Sequence, residues 1–183
     1  MTRLLPASGR TPVPWRDGGG VTREIAAWPP GADMTGFVWR VSLADVGADG
    51  PFSAFPGVDR TLTVVEGAGM DLTVGGERRL VDVRLVPQHF RGDVPTHCRL
   101  IDGPVVNLNV MWRRDGGRPA PTVAVVRGRL PLPAAPVLVV ALDGSADVAG
   151  TVLGPYDAVL LTGTDTVLHT TGSAAVVGDV PQD

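Results

Sequence analysis

The sequence predicts an all-β protein, with two stacked β-barrels in one compact chain of 183 residues. Two-residue alternation and short Val, Leu and Thr runs dominate, whereas the apolar spacing of an amphipathic helix is hard to find. The 24 glycines and 17 prolines punctuate these runs as turn residues do. A weak internal repeat relates 85–93 to 152–160, each with a Gly or Pro corner, an aromatic residue and an aspartate. The repeat indicates two barrels of similar kind.

The alternating runs predict strands in two sets. The first set covers 21–28, 37–43, 60–66, 70–74, 77–85, 96–100 and 105–112. The second set covers 122–128, 136–142, 146–148, 158–162, 166–170 and 174–177. Turn-forming pairs such as Gly75-Gly76 and Asp143-Gly144 separate them. Short strands at this spacing are typical of a β-sandwich or barrel.

The composition changes near residue 115. All four tryptophans and all four phenylalanines precede this point, and the later strands consist of Val, Ala and Leu with Thr and Gly. The Gly- and Pro-rich stretch 114–121 has the composition of a linker. We therefore expect a first barrel at 1–115, which carries the candidate ligand pocket, and a smaller second barrel at 116–183.

Charge and cysteine content exclude several classes of protein. All 16 basic residues are arginine, so no Schiff-base or P-loop lysine exists, and the net charge of −3 argues against a nucleic-acid partner. Cys98 is the single cysteine and is expected to be a buried small hydrophobe, with no disulfide. The longest apolar run, 134–142, is too short for a membrane helix, and the first residues lack a signal-peptide pattern. A cytoplasmic protein with no membrane partner is expected.

The residues of common catalytic and metal sites are poorly placed. His89, His97 and His169 lie on different predicted strands and lack metal-ligand spacing, so we expect no metal and no cofactor. No Gly-x-Ser-x-Gly elbow is present. The glycines at 18–20 lack a dinucleotide fingerprint and are expected to form a turn that leads into a strand.

Polar residues share faces on three predicted strands, because residues two apart point to the same side. The pairs are Thr22 with Glu24, Arg40 with Ser42, and Asn107 with Asn109. The same alternation places Trp28 on the face of Glu24. Such faces often look at water, but asparagine is depleted in strands and occurs here twice. If the three faces point into a barrel, they enclose a polar cavity suited to a small anionic, amide-bearing ligand.

Several motifs in the first half of the chain resemble the HutD/Ves family. They are WRDGGGVTREI at 15–25, FVWRVS at 37–42, DGPFSAFPGVDR at 49–60, FRGD at 90–93 and NLNVM at 107–111. The resemblance spans roughly residues 4–180 and implies a bicupin fold without the usual cupin metal, in a cytoplasmic bacterial protein. It further implies a link to histidine utilisation, with N-formylglutamate as the suggested ligand and a regulatory role. The family usually has Asn at the position of Asp17 and commonly Asp at that of Asn107.

The leading hypothesis is a regulatory protein that binds a formylglutamate-like dicarboxylate, with no established catalysis. In it, Arg40 and Arg60 pair with carboxylates, and one of them pairs with Glu24 or Asp59 in the empty protein. The formamide or a bridging water is held by Asn109, Thr22 and Ser42, and the walls of the site are Trp15 and Phe52.

Two alternatives stay open. One is a metal-independent enzyme acting on a small polar amide or sugar-like substrate, with Glu24 as general base. The other is a structural or partner-binding protein with a vestigial pocket. In either case the edge strands of open barrels predict self-association, most simply as a homodimer.

Overall fold

The computed structural model describes residues 2–115, 119–163 and 165–180. These residues form seventeen β-strands and one short 3-10 turn at Ala7–Gly9, and no α-helix occurs among them. The strands are β1 (Thr2–Leu5), β2 (Pro12–Pro14), β3 (Gly20–Trp28), β4 (Trp39–Val46), β5 (Gly50–Phe52), β6 (Val58–Glu66), β7 (Met70–Val74), β8 (Glu77–Val81), β9 (Gln88–Arg91), β10 (Thr96–Leu100), β11 (Val105–Arg113), β12 (Thr122–Leu132), β13 (Val137–Asp143), β14 (Ala146–Val148), β15 (Thr151–Leu153), β16 (Ala158–Leu161) and β17 (Thr166–Gly178). The all-β prediction is confirmed, and the strands include a nearly closed barrel sheet.

The chain divides into two compact units, one of Thr11–Arg118 and one of Met1–Arg10 with Pro119–Asp183. The first residues belong to the second unit because β1 pairs antiparallel with β16. The backbone N–H of Ala7 also donates to Asp157 Oδ1 at 2.7 Å. From the sequence these residues are expected within 1–115, because a strand of four residues gives no local sign that its partner lies so far along the chain. Residues 116–118 of the expected linker lie outside the described residues.

Two sheets build the first unit. The larger has the order β2-β3-β4-β11-β6-β9, and the smaller has the order β5-β10-β7-β8. A core of buried apolar side chains includes Leu62 and Val64 of β6 with Met70 and Leu72 of β7. The central strands β4 and β11 are buried on both faces, and their buried residues include the polar Ser42, Asn107 and Asn109.

The second unit contains a seven-stranded sheet of order β1-β16-β13-β17-β14-β15, with β12 paired to β17. Its core is made of small and branched side chains, among them Val139, Val159, Leu168 and Ala174, all fully buried. This composition explains the plain Val, Ala and Leu strands of the second half.

Each predicted strand has a counterpart in the structure, with corrections at the ends. The strand expected at 77–85 ends at Val81, and Leu85 adopts a positive φ of 67°, which lies outside the β region. The strands expected at 166–170 and 174–177 are one strand, β17. Five further strands are not predicted from the sequence, namely β1, β2, β5, β9 and β15. They have only three or four residues each, and proline or glycine obscures β2 and β5.

A β-bulge changes the alternation of β3. Glu24 lies opposite Ser42 of β4, but Ala26 lies opposite Val41, so the register shifts by one residue between them. Because a one-residue shift moves later side chains to the other face, Trp28 pairs with Trp39 and not with the face of Glu24. The expectation that Trp28 shares that face is therefore wrong.

Candidate functional site

A cavity of about 380 Å³ opens on the larger sheet of the first unit. Its wall combines strand residues of β3, β4, β6 and β11 with the segments around 13–17 and 51–55. Eight of the nine predicted site residues line it: Trp15, Thr22, Arg40, Ser42, Phe52, Arg60, Asn107 and Asn109. The ninth, Glu24, does not line the cavity but contacts a residue that does.

The strand register explains why these residues meet. Met111 of β11 lies opposite Arg40 of β4 on one side and opposite Arg60 of β6 on the other. Two residues earlier on β11, Asn109 lies opposite Ser42. Residues directly opposite in an antiparallel pair share a face, so these rows stack along one surface of the sheet. Alternation on regular strands thus assembles the floor of the cavity.

Arg40 is neutralised by a carboxylate within the same sheet. Its Nε donates to Glu24 Oε2 at 2.8 Å, and its side chain is only 13% exposed. The other end of the guanidinium contacts Met34, whose Sδ lies 3.0 Å from Nη1. Of the pairings expected in the empty protein, this is the one that forms.

Arg60 has a different environment. It is buried, and its Nε donates to Asn109 Oδ1 at 3.3 Å. Its guanidinium carbon lies 5.3, 5.6 and 5.3 Å from the ring centroids of Phe52, Phe55 and Phe90. Burial lowers the pKa of Arg60 to about 10, so the group stays charged at neutral pH. Three aromatic faces thus surround a charged group.

No described carboxylate forms an ion pair with Arg60. Asp59, the other candidate partner, is bound by Arg114 at 2.6 Å. A buried charge without a counter-ion is costly, and an anion that bound beside Arg60 would reduce that cost.

A tryptophan and a phenylalanine form one wall of the cavity. Trp15 Nε1 donates to Thr22 Oγ1 at 2.8 Å, which leaves the hydroxyl proton of Thr22 available. Phe52 meets Trp15 edge-on, with ring centroids 6.2 Å apart. Gly20 permits this arrangement, because a Cβ there would lie 2.5 Å from the carbonyl oxygen of Asp45 and 3.0 Å from the Trp15 ring. The glycine run is therefore a turn and also a close-packing site, with Gly18 at a φ of +73°.

Asp17 and Asn107, the two positions at which the resemblance implies a departure from the family pattern, both line the cavity. Asp17 Oδ1 accepts a hydrogen bond from the backbone N–H of Gly19 at 3.0 Å. Asn107 is buried and donates from Nδ2 to the Ala44 carbonyl at 3.4 Å. Its Oδ1 has no hydrogen-bond partner among the described residues. A flipped amide would place two carbonyl oxygens together, so the free acceptor is a property of the site.

Other lining residues were not predicted from the sequence. Phe55 lies within one of the family motifs, and Met111 follows the alternation of Asn107 and Asn109, so a signal existed for both. Arg16 adjoins Trp15 in the first motif. Met34 comes from the irregular segment between β3 and β4, and no pattern of the sequence points to it.

The histidines and the cysteine are placed apart from the cavity. His89, His97 and His169 lie on strands of three different sheets, and His89 Nδ1 is 2.6 Å from Thr61 Oγ1. The described residues contain no cluster of three or more His, Cys, Asp or Glu suited to a metal. Burial raises the pKa of Cys98 to about 12, which makes it a poor nucleophile. Within the described residues, no helix is long and apolar enough to cross a membrane.

Comparison with known proteins adds family information. The chain is 33% identical over 171 residues to a 21.2 kDa protein in the hutC 3′ region of Pseudomonas putida, and the alignment covers 91% of this chain and 90% of that protein. It is 40% identical over 111 residues to Protein Ves of Cronobacter sakazakii, which covers 60% of each chain.

Solved structures show the same fold. HutD from Pseudomonas fluorescens SBW25 superposes with a TM-score of 0.86 at 36% identity, covering 97% of both chains. A cupin 2 conserved barrel domain protein from Leptotrichia buccalis has a TM-score of 0.61 at 12% identity, over 91% of this chain and 92% of that one, which shows a cupin-like fold alone. The family model HutD matches residues 7–177. This chain therefore belongs to the HutD family.

Proposed function

We propose that this protein binds a small dicarboxylate of the N-formylglutamate type and acts as a regulatory component of histidine utilisation. The observation that carries the proposal is Arg60, a buried guanidinium that lines the cavity and has no carboxylate partner among the described residues. A ligand carboxylate supplies the missing counter-ion. Arginine suits this role because its planar fork of donors matches the two oxygens of a carboxylate.

The remaining polar groups fit an amide-bearing ligand. Ser42 and Thr22 contribute hydroxyls, and Asn107 contributes an acceptor, Oδ1, that has no partner among the described residues. An N-acylated amino acid carries both the N–H donor and the carbonyl acceptor that such groups bind. Apolar side chains, among them Phe52 and Met111, line the rest of the cavity and match the methylene groups of a glutamate-like chain.

The regulatory part of the proposal is supported by family membership. A relative that aligns along 91% of this chain lies in the hutC 3′ region of Pseudomonas putida. We extend the proposal to a bicupin organisation, with one barrel in each compact unit, and to a cytoplasmic homodimer. The cupin-like fold and the two units support the first of these extensions. The dimer is checked by light scattering, where a monomer at high micromolar concentration counts against it.

The geometry does not favour the enzymatic alternative. A general base must reach the proton that it abstracts, but Glu24 does not line the cavity, and its carboxylate is bound to Arg40. Binding without catalysis is therefore the better interpretation of this arrangement.

Isothermal titration calorimetry with N-formylglutamate, glutamate and glutarate tests the proposal. We expect wild type to bind N-formylglutamate, and Arg60→Ala to weaken binding by roughly 30- to 1,000-fold, the cost of a charged contact of about 2–4 kcal/mol. Arg40→Ala tests the second arginine of the cavity. Arg84→Ala serves as the control, because Arg84 is exposed and lies outside the cavity.

Three outcomes distinguish the possibilities. Failure of wild type to bind any of the three compounds removes this ligand class. Binding that survives both Arg40→Ala and Arg60→Ala shows that the ligand site lies elsewhere. Loss of binding in Arg84→Ala shows that the effect of the other substitutions is not specific to the cavity.

A further inference from the structure

The two arginines of the cavity are electrostatically unequal. Arg60 has no acidic partner among the described residues, whereas Arg40 already shares its charge with Glu24 at 2.8 Å. The cavity therefore offers one full positive charge and one that is largely compensated. This inequality affects how much affinity a ligand gains from a second carboxylate.

We propose that Glu24 is a specificity-determining residue. Its negative charge reduces the gain in affinity that a second carboxylate gives a ligand in this cavity. The inference rests on the proposed function. It assigns Glu24 a positioning and electrostatic role exerted through Arg40, since Glu24 does not itself line the cavity. In this interpretation the site accepts a dicarboxylate but discriminates only weakly against its mono-amide.

The geometry supports this role. Glu24 is bound to Nε on one edge of the Arg40 guanidinium and Met34 contacts Nη1, so a ligand in the cavity is left with the N–H groups that neither residue occupies. A guanidinium is only a few ångströms across, which leaves the ligand carboxylate within one Debye length of the Glu24 carboxylate. Repulsion between the two anions then offsets much of the attraction to Arg40.

The arrangement is also fixed by the fold. Glu24 and Arg40 lie on adjacent strands, and Glu24 is placed opposite Ser42 immediately before the bulge of β3. The Glu24 side chain is 40% exposed, whereas that of Arg40 is 13% exposed. Replacing Glu24 therefore changes the charge near the cavity with little change in packing.

The test is a ratio of affinities. We use N-formylglutamate and its two mono-amides, N-formylglutamine and N-formylisoglutamine, each of which keeps one carboxylate. The better-binding amide is the one that keeps the carboxylate held by Arg60, and it serves as the reference. We expect wild type to prefer N-formylglutamate over this reference by less than about tenfold, and Glu24→Gln to widen the preference by a further tenfold or more.

Two matched variants distinguish the effect of the Glu24 charge on the affinity ratio from an effect on the folded structure. Asp45→Asn removes another acid that pairs with an arginine of the same sheet, Arg23, outside the cavity, and leaves the ratio unchanged. Glu24→Asp keeps the charge and holds the ratio near that of wild type. A general loss of stability would lower all affinities together without widening the ratio.

The outcomes decide between the two proposals. A wider ratio in Glu24→Gln alone supports the inference. An unchanged or narrower ratio overturns it and leaves the proposed function intact, provided that wild type binds N-formylglutamate. Absence of binding by wild type to all three compounds overturns both.

Discussion

Arg40 and Arg60 lie in one row of the six-stranded sheet, on either side of Met111, and of these two arginines only Arg40 is bound to a described carboxylate. Strand alternation places both guanidinium groups on the same surface. Their difference arises from their neighbours: a glutamate on the adjacent strand for Arg40, and three phenylalanine rings for Arg60. The fold therefore keeps one of the two charges uncompensated.

The buried charge of Arg60 predicts a conflict between stability and binding. Its lowered pKa means that the folded protein holds the proton less tightly than the unfolded chain, so the charge destabilises the fold at neutral pH. Arg60→Met keeps much of the volume and the contact with the rings, so we expect the free energy of unfolding to rise by about 1 kcal/mol. Urea unfolding measures this change, and calorimetry should show that ligand binding is lost. A clear fall in stability contradicts the prediction.

At Asn107 we expect a similar but smaller conflict between folding stability and ligand binding. Its Oδ1 is buried and has no described partner, so replacing it with an apolar side chain removes an unsatisfied acceptor. We expect Asn107→Leu to keep the free energy of unfolding within about 1 kcal/mol of wild type and to weaken N-formylglutamate binding about tenfold.

The control for Asn107→Leu is Thr63→Val. Thr63 Oγ1 is also buried without a described partner, but Thr63 lies opposite Leu108, on the other face of the sheet. We expect similar stability and unchanged binding for this variant. Equal loss of affinity in both variants would show that Asn107 acts through the fold and not through the ligand.

Protonation of Asp93 is expected to account for part of the loss of folding stability in acid. Hydrogen bonds from Arg91 and Arg114 hold the pKa of Asp93 well below its ordinary value of 3.8. The unfolded chain therefore binds a proton more readily, and the stabilisation present at neutral pH is lost as the pH falls below about 4. We expect the urea midpoint of Asp93→Asn to fall less between pH 7 and pH 3 than that of wild type. Asp102→Asn, on an exposed turn, should follow wild type.

Cys98 predicts slow chemical modification. The thiol is buried beside Met70 Sδ, 3.8 Å away, and its pKa is raised to about 12 by burial, so almost no thiolate forms at pH 8. We expect a thiol-reactive reagent to label the folded protein slowly and the urea-unfolded protein rapidly. Rapid labelling at pH 8 without urea would place Cys98 at an accessible surface.

The floor of the cavity was predictable because alternation on a regular strand fixes which side chains share a face. Arg40 with Ser42 and Asn107 with Asn109 follow this rule. The rule fails where a strand is irregular, and the bulge of β3 moves Trp28 to the other face. It also gives no information about partners on other strands, so the choice of Arg40 as the partner of Glu24 required the structure.

One part of the cavity wall, Met34, and the division of the chain were harder to predict than Trp15 and Phe52. Met34 reaches the cavity from an irregular segment, where no periodicity operates. The strand β1 gives no local sign of its partner, because pairing between distant strands depends on tertiary packing. That 1–115 and 116–183 form two separate barrels, each able to fold independently, stays a prediction.

The pairing of β1 with β16 has a consequence for synthesis on the ribosome. Thr2–Leu5 is synthesised before 11–118, whereas its partner strand Ala158–Leu161 is synthesised after that segment. Most of the first unit is translated before this partner exists, so β1 waits as an unpaired strand while 11–118 is able to fold. Fusion of a bulky tag before Thr2 should therefore impair completion of the second unit more than that of the first.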